Sequence, residues 1–299
     1  MFLLHTHGAG GESLLPAFLE EVVWHGLLEL VKLLPFLFLT YLLMEFIEHK
    51  ASDKAEGFMK KAGPFGPAVG GLIGTVPQCG FSAAASNLFA GRVITVGTLV
   101  AVFLSTSDEM LPILIGGSVP PLTALLLVLY KAGVGIAVGF LVDAVMRITN
   151  RGKREINIDA LCEKDECHCE RGIFYSALHH TLTISLFILA VTLAINTLVF
   201  FVGEEWLGVV LRDKPVLSHF VSAVVGLVPN CASSVLLSTL YSKGIITVGT
   251  MLSGLLSGAG VGILVLFRVN RHIKENLAIL GLLVACGVAF GLLGELIFA

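Results

Sequence analysis

Long apolar runs separated by short polar stretches dominate this chain. Six of them are Leu27 to Phe46, Val93 to Gly116, Pro121 to Met146, Tyr175 to Phe201, Ile245 to Phe267 and Leu277 to Phe298. Each meets the length of about 20 residues that an α-helix needs to cross a bilayer core about 30 Å thick, so each predicts a spanning helix. Two further segments, Pro64 to Gly91 and Leu217 to Lys243, are apolar but interrupted near their middles by Pro77 and Pro229 and are rich in Gly or Ser. Each is either one broken span or a re-entrant hairpin of two half-helices.

The two interrupted segments are related. Shifting the chain by 152 residues aligns Val69 to Leu114 with Val221 to Leu266 without a gap, and 16 of the 46 aligned positions are identical. The shared core is V-P-[QN]-C-x-x-S-x-x-x-S-x-L, followed by I-T-V-G-T and L-S. The same offset pairs Gly135 with Gly287, Gly139 with Gly291 and Asp143 with Glu295, which predicts an internal duplication.

Composition agrees with lipid as the solvent: 56% of the 299 residues are hydrophobic and 14% charged, against about 25% charged in soluble domains. Cytoplasmic loops carry an excess of Lys and Arg, and this rule chooses between the two readings of the interrupted segments. If both segments cross the membrane, the 17 Lys and Arg outside the helices divide 9 to 8 between the faces; if both are hairpins they divide 14 to 3. The hairpin reading follows. It predicts an all-α polytopic membrane protein of two antiparallel, inverted repeats, each with three spanning helices and one re-entrant broken-helix hairpin, ten helices in all. Its parts are an external N-terminal segment (1–24), a first transmembrane repeat (25–147), a cytoplasmic Cys/His/acid-rich loop (148–171) and a second transmembrane repeat (172–299), with both termini external. The first 24 residues contain no Lys or Arg and no small-residue cleavage pattern, so no secretory signal is expected there. A net charge of −3 argues against nucleic acid as a partner.

Non-helical backbone at membrane depth requires a protected or watery setting, so the hairpin tips are expected to meet at a site near the midplane. Gln78 and Asn230 bring amide oxygens to those tips, Cys79 and Cys231 thiols, and Ser82 and Ser234 hydroxyls one turn on. The competing reading is a proline kink whose freed backbone groups the small polar residues satisfy. The stretch from Ser105 through Asp108 and Glu109 to Pro112 is the most polar part of any predicted span. An acid in a lipid-facing helix costs roughly 2.5 to 3.5 kcal/mol, so this pair faces a cavity, a partner or the interface. The duplicate has Gly258-Ala259-Gly260-Val261 instead, so the acids belong to one half only. Lys131 is either their countercharge or a side chain reaching for the surface.

Glu45, Glu48 and His49 share a helical face near one end of the first span, as a cation entry site or a solvated helix end. The loop from Asp159 to Glu170 holds Cys162, Cys167, His168 and Cys169 with five acids, and His179 and His180 follow at the start of the next span. It does not have zinc-finger spacing; it reads as a recruiter of soft or borderline metal or as a charged linker. Asp143 and Glu295, paired by the repeat, suggest a common structural role in anchoring hairpin backbone. Gly133, Gly135 and Gly139 permit close helix packing within the chain or in a homo-oligomer.

Together, L-L-P-F-L-F-L-T-Y-L-L-M-E-F-I-E-H-K at 33–50, V-P-Q-C-G-F-S at 76–82, F-L-S-T-S-D-E-M-L-P at 103–112, the Cys/His-rich loop and V-P-N-C at 228–231 make the chain resemble the ten-helix (10TM) heavy-metal exporters of prokaryotes. That family carries the label manganese transporter and is sometimes grouped by name with arsenic permeases. The resemblance covers nearly the whole chain. It implies efflux of a divalent metal across the cytoplasmic (inner) membrane, with Mn²⁺ the leading substrate and no prosthetic group. Carboxylate, amide, hydroxyl and backbone oxygens suit Mn²⁺, whereas the cysteines would admit softer ions such as arsenic species. The alternatives are an arsenic or organoarsenical permease and a passive cation channel. No G-x-x-x-x-G-K-[ST] phosphate loop is present, and Cys or Ser with His shows no triad arrangement, so an enzyme is not expected.

Overall fold

A computed structural model describes residues 19–24, 65–76, 79–106, 110–116, 119–149, 173–202, 215–270 and 272–298, with scattered positions between 27 and 42. Every regular element among them is helical. After a wide helical turn at Leu19–Trp24 come α1 (Gly66–Gly74), α2 (Cys79–Ala90), α3 (Val96–Ser105), α4 (Met110–Gly116), α5 (Pro121–Ile148) and α6 (Ile173–Val202). The remainder is α7 (Pro215–Gly226), α8 (Cys231–Ser242), α9 (Val248–Ser257), α10 (Gly262–Val269) and α11 (Ile273–Phe298). Four stretches are long and apolar enough to cross a membrane: Pro121–Ile148, Ala177–Ala194, Val248–Val269 and Ile273–Phe298.

Polarity is distributed as lipid immersion requires. Leu122, Leu125, Leu129, Leu141 and Val145 of α5 are exposed, while Ser82, Ser86, Ser105, Lys131, Ser222, Ser253 and Ser257 are buried. A water-soluble protein would not leave such a row of leucines uncovered while enclosing hydroxyls. The chain is therefore a helical protein suited to a membrane.

α3 and α9 form the centre; every residue from Gly97 to Ser105 and from Val248 to Ser257 is buried. Their starts are built alike. Thr95 and Thr247 are the N-caps, accepting from the amides of Thr98 at 3.1 Å and Thr250 at 3.2 Å. One residue nearer the cap, the Gly97 amide donates to Asp143 at 2.9 Å, and the Gly249 amide donates to Glu295 at 2.7 Å. A carboxylate there satisfies an otherwise orphaned donor and opposes the positive end of the helix dipole. The paired acids thus anchor backbone, but that of α3 and α9 rather than that of the hairpins.

Glycines fix the directions of the neighbours. α5 runs antiparallel to α3, with Gly139 against Gly97 and Gly135 against Ala101 and Ser105; α11 runs antiparallel to α9, with Gly291 against Gly249 and Gly287 against Ser253. These contacts answer the packing question for Gly135 and Gly139, which pack within the chain, while Gly133 meets open space. α1 runs parallel to α3, since Gly66 and Gly70 lie against Thr98 and Gly74 against Ser105. α7 runs parallel to α9: Ser218 meets Thr250 at 3.2 Å, Ser222 bonds the Thr250 carbonyl at 2.7 Å, and Gly226 lies against Gly254.

Because α1 and α3 begin at the same level, α2 has to carry the chain back before α3 starts, and α8 does the same before α9. The turns that follow α2 and α8 each hold one residue in the left-handed region, Arg92 (φ 59°) and Gly244 (φ 69°). These turns lie at opposite ends of the molecule. Arg92 forms a two-point ion pair with Glu275 at the start of α11, at 3.2 and 3.0 Å, whereas Gly244 precedes α9, whose first turn meets Glu295 near the other end of α11.

Two expected continuous spans are instead interrupted. Val93 to Gly116 stops at Ser105, where Thr106 is extended (φ −54°, ψ 124°), and resumes at Met110. Ile245 to Phe267 stops at Ser257, where Gly258 has φ −75° and ψ 118°, passes through left-handed Gly260 (φ 50°), and resumes at Gly262. Backbone in these conformations cannot continue the i to i−4 ladder, and apolar length alone does not show such breaks.

Candidate functional site

Four interruptions therefore punctuate the helices: between α1 and α2, α3 and α4, α7 and α8, and α9 and α10. Contacts join them into one layer. The end of α1 meets the end of α3 at Gly74 and Ser105, and the end of α7 meets the end of α9 at Gly226 and Ser257. The first turn of α2 meets the start of α10, where Ser82 lies against Gly262 and Ser86 Oγ is 2.7 Å from the Gly262 carbonyl oxygen. α8 in turn packs on α4. α2 thus leans on α10, and α8 on α4.

The layer gathers polar groups inside an apolar shell. Ser82, Ser105 and Lys131 are 0% exposed and Asn230 1%. Asn230 is the N-cap of α8; its Oδ1 accepts from the Ala232 amide at 3.4 Å, and its carbonyl accepts from Ser233 at 2.9 Å. Ser105 Oγ donates back to the Ala101 carbonyl at 2.7 Å and lies 3.1 Å from that of Val102. Ser234 is half-buried one turn into α8.

Lys131 does not reach for the surface. Its ammonium donates to the carbonyl of Thr106, the residue that ends α3. Of the two readings for this lysine, the surface-seeking one is therefore corrected: α5 carries it, fully buried, at the depth of the α3 break, where it bonds a helix-end carbonyl.

Several sequence candidates lie outside the described residues: Gln78, Asp108 and Glu109, Glu45, Glu48 and His49, and Cys162, Cys167, His168 and Cys169, together with the side chains of Cys79, His180 and Cys231. The nearest described residues on either side of the acid pair, Thr106 and Met110, are both buried. Among the described residues, no three His, Cys, Asp or Glu side chains gather as a metal cluster. Thr106, Ser257 and Gly260 were not singled out from sequence. The Gly-Ala-Gly string at 258–260 was the available signal, since two glycines in three residues weaken a helix.

Comparison with protein-family models, with curated proteins and with solved structures found no match in any of the three.

Proposed function

We propose that this chain is a secondary transporter of a prokaryotic cytoplasmic membrane that exports a divalent heavy-metal cation, with Mn²⁺ the first candidate. Its halves act as inverted repeats whose half-helix hairpins, α1–α2 and α7–α8, enter from opposite faces. The observation that carries this reading is the contiguous layer of four helix interruptions with buried Ser82, Ser105, Asn230 and Lys131. Interrupted helices expose backbone N–H and C=O groups that replace part of an ion's hydration shell, and opposed repeats supply two arrangements of one fold around such a site. Charge supports the orientation: Arg92, Arg147, Arg268 and Lys274 lie toward one end and Lys243 toward the other, so the first end is cytoplasmic. Manganese rests on the resemblance to the 10TM exporters and on an inventory weighted toward oxygen ligands. Asp108 is the acid expected to carry the cation, and Cys79 an auxiliary ligand.

A proteoliposome panel of Mn²⁺, Fe²⁺, Co²⁺, Zn²⁺ and arsenite, with and without a pH gradient, tests the proposal. Mn²⁺ is expected to move; Asp108→Asn is expected to abolish the flux and Cys79→Ser to weaken it. Movement of arsenite alone, or normal Mn²⁺ transport by Asp108→Asn, would overturn the metal assignment. Flux indifferent to every imposed gradient except that of the metal itself would make the chain a passive channel.

A further inference from the structure

The two central crossings are interrupted in the same way, yet among the described residues only the first meets an ammonium. Thr106 and Gly258 occupy equivalent positions at the ends of α3 and α9 and have nearly the same backbone angles, −54° and 124° against −75° and 118°. Lys131 bonds Thr106; the residue that the 152-residue offset pairs with Lys131 is Leu283, an apolar side chain that is also fully buried. Among the described residues no ammonium bonds the α9 break, so the fold does not need one to end a helix there. Burying a lysine inside a membrane protein is costly, and such residues mark ion pathways.

The acceptor is informative. A carbonyl at an interrupted helix end is the kind of oxygen that coordinates a transported cation, and the Lys131 ammonium bonds to it. We propose that Lys131 is the resident cation of the transport site: its ammonium holds the Thr106 carbonyl while the site is empty of cargo and gives it up when a divalent cation arrives. This role rests on the transport reading above. It makes Lys131 a positioning residue that weakens cation binding and speeds release, because the lysine returns to the carbonyl as the ion leaves. The second half, with Leu283, lacks this function.

The test compares Mn²⁺ uptake by wild type, Lys131→Gln, Lys131→Met and Lys131→Arg in proteoliposomes, with Mn²⁺ binding to each in detergent. The Gln and Met variants are expected to bind Mn²⁺ at least about tenfold more tightly and to turn over at least about tenfold more slowly, a parallel fall in KM and kcat that signals loss of a competitor for the bound state. Lys131→Arg keeps the charge and is expected to lie closer to wild type on both measures. Unchanged kinetics, a loss of rate without tighter binding, or failure of both Gln and Met variants to fold would overturn the proposal, the last by making Lys131 a structural cap. Absence of any divalent-cation flux in the wild type would instead remove the transport reading itself.

Discussion

Gly139→Val is expected to yield little folded protein, and what folds should unfold at a markedly lower temperature than wild type. A Cβ at Gly139 would lie 2.6 Å from the Gly97 carbonyl oxygen and 2.9 Å from the Cβ atoms of Ala101 and Pro67. Backbone and short side chains have no rotamer by which to move away, so α5 must separate from α1 and α3 together. Overpacking typically costs about 1–3 kcal/mol, and valine's two γ-carbons push the effect to the top of that range or beyond. Gly291→Val repeats the collision in the second half, where a Cβ meets Ser253 and the Gly249 carbonyl oxygen. Gly133→Ala and Gly281→Ala are the controls: nothing lies within 4 Å of either added Cβ, so alanine's better helix propensity should leave stability equal or raised. Thermal unfolding in detergent with size-exclusion profiles checks all four. A Gly139→Val protein as stable as wild type would show that α3 and α5 do not cross at this glycine.

Asp143→Ala should be the most destabilising carboxylate substitution among the described residues, by about 1–3 kcal/mol, with Asp143→Asn less damaging. The carboxylate is buried and accepts from both the Gly97 amide at 2.9 Å and the Thr95 hydroxyl at 2.7 Å. Alanine strands both donors beneath the start of the central helix, whereas the Asn carbonyl oxygen can still take one of them. Glu295→Ala should cost less, because Glu295 is more exposed than Asp143. Denaturation midpoints rank the three variants; equal stability of Asp143→Ala and wild type would mean that water or another donor-acceptor pair replaces the carboxylate.

How much could be read from sequence follows from which signals are local. Apolar length found α5, α6 and α11, because a membrane-crossing helix needs only a sustained run and no partner to announce it. The 152-residue offset found Asp143 and Glu295 as a pair, but their partners Gly97 and Gly249 are 46 residues away and depend on helix crossing. Length also hid something. The breaks after Ser105 and Ser257 occur inside runs that remain apolar on both sides, and hydropathy is blind to a backbone angle. Pro77 and Pro229 were legible as breaks because proline removes a donor and clashes with the preceding turn, whereas Gly258 and Gly260 merely permit one. For Lys131, sequence offered two opposite fates, and its burial at the α3 end excludes the surface-seeking one.

The hairpin geometry carries the account, and its most direct test is the facing of two matched positions. Val93 and Ile245, one residue past the left-handed Arg92 and Gly244, occupy the turns after α2 and α8. Single cysteines at 93 and 245 in an otherwise cysteine-free protein should react with a membrane-impermeant maleimide from opposite sides of intact cells: 245 directly, 93 only after permeabilisation. Labelling of both from the same side would mean that the interrupted segments pass through the membrane, and would contradict the opposed half-helix hairpins.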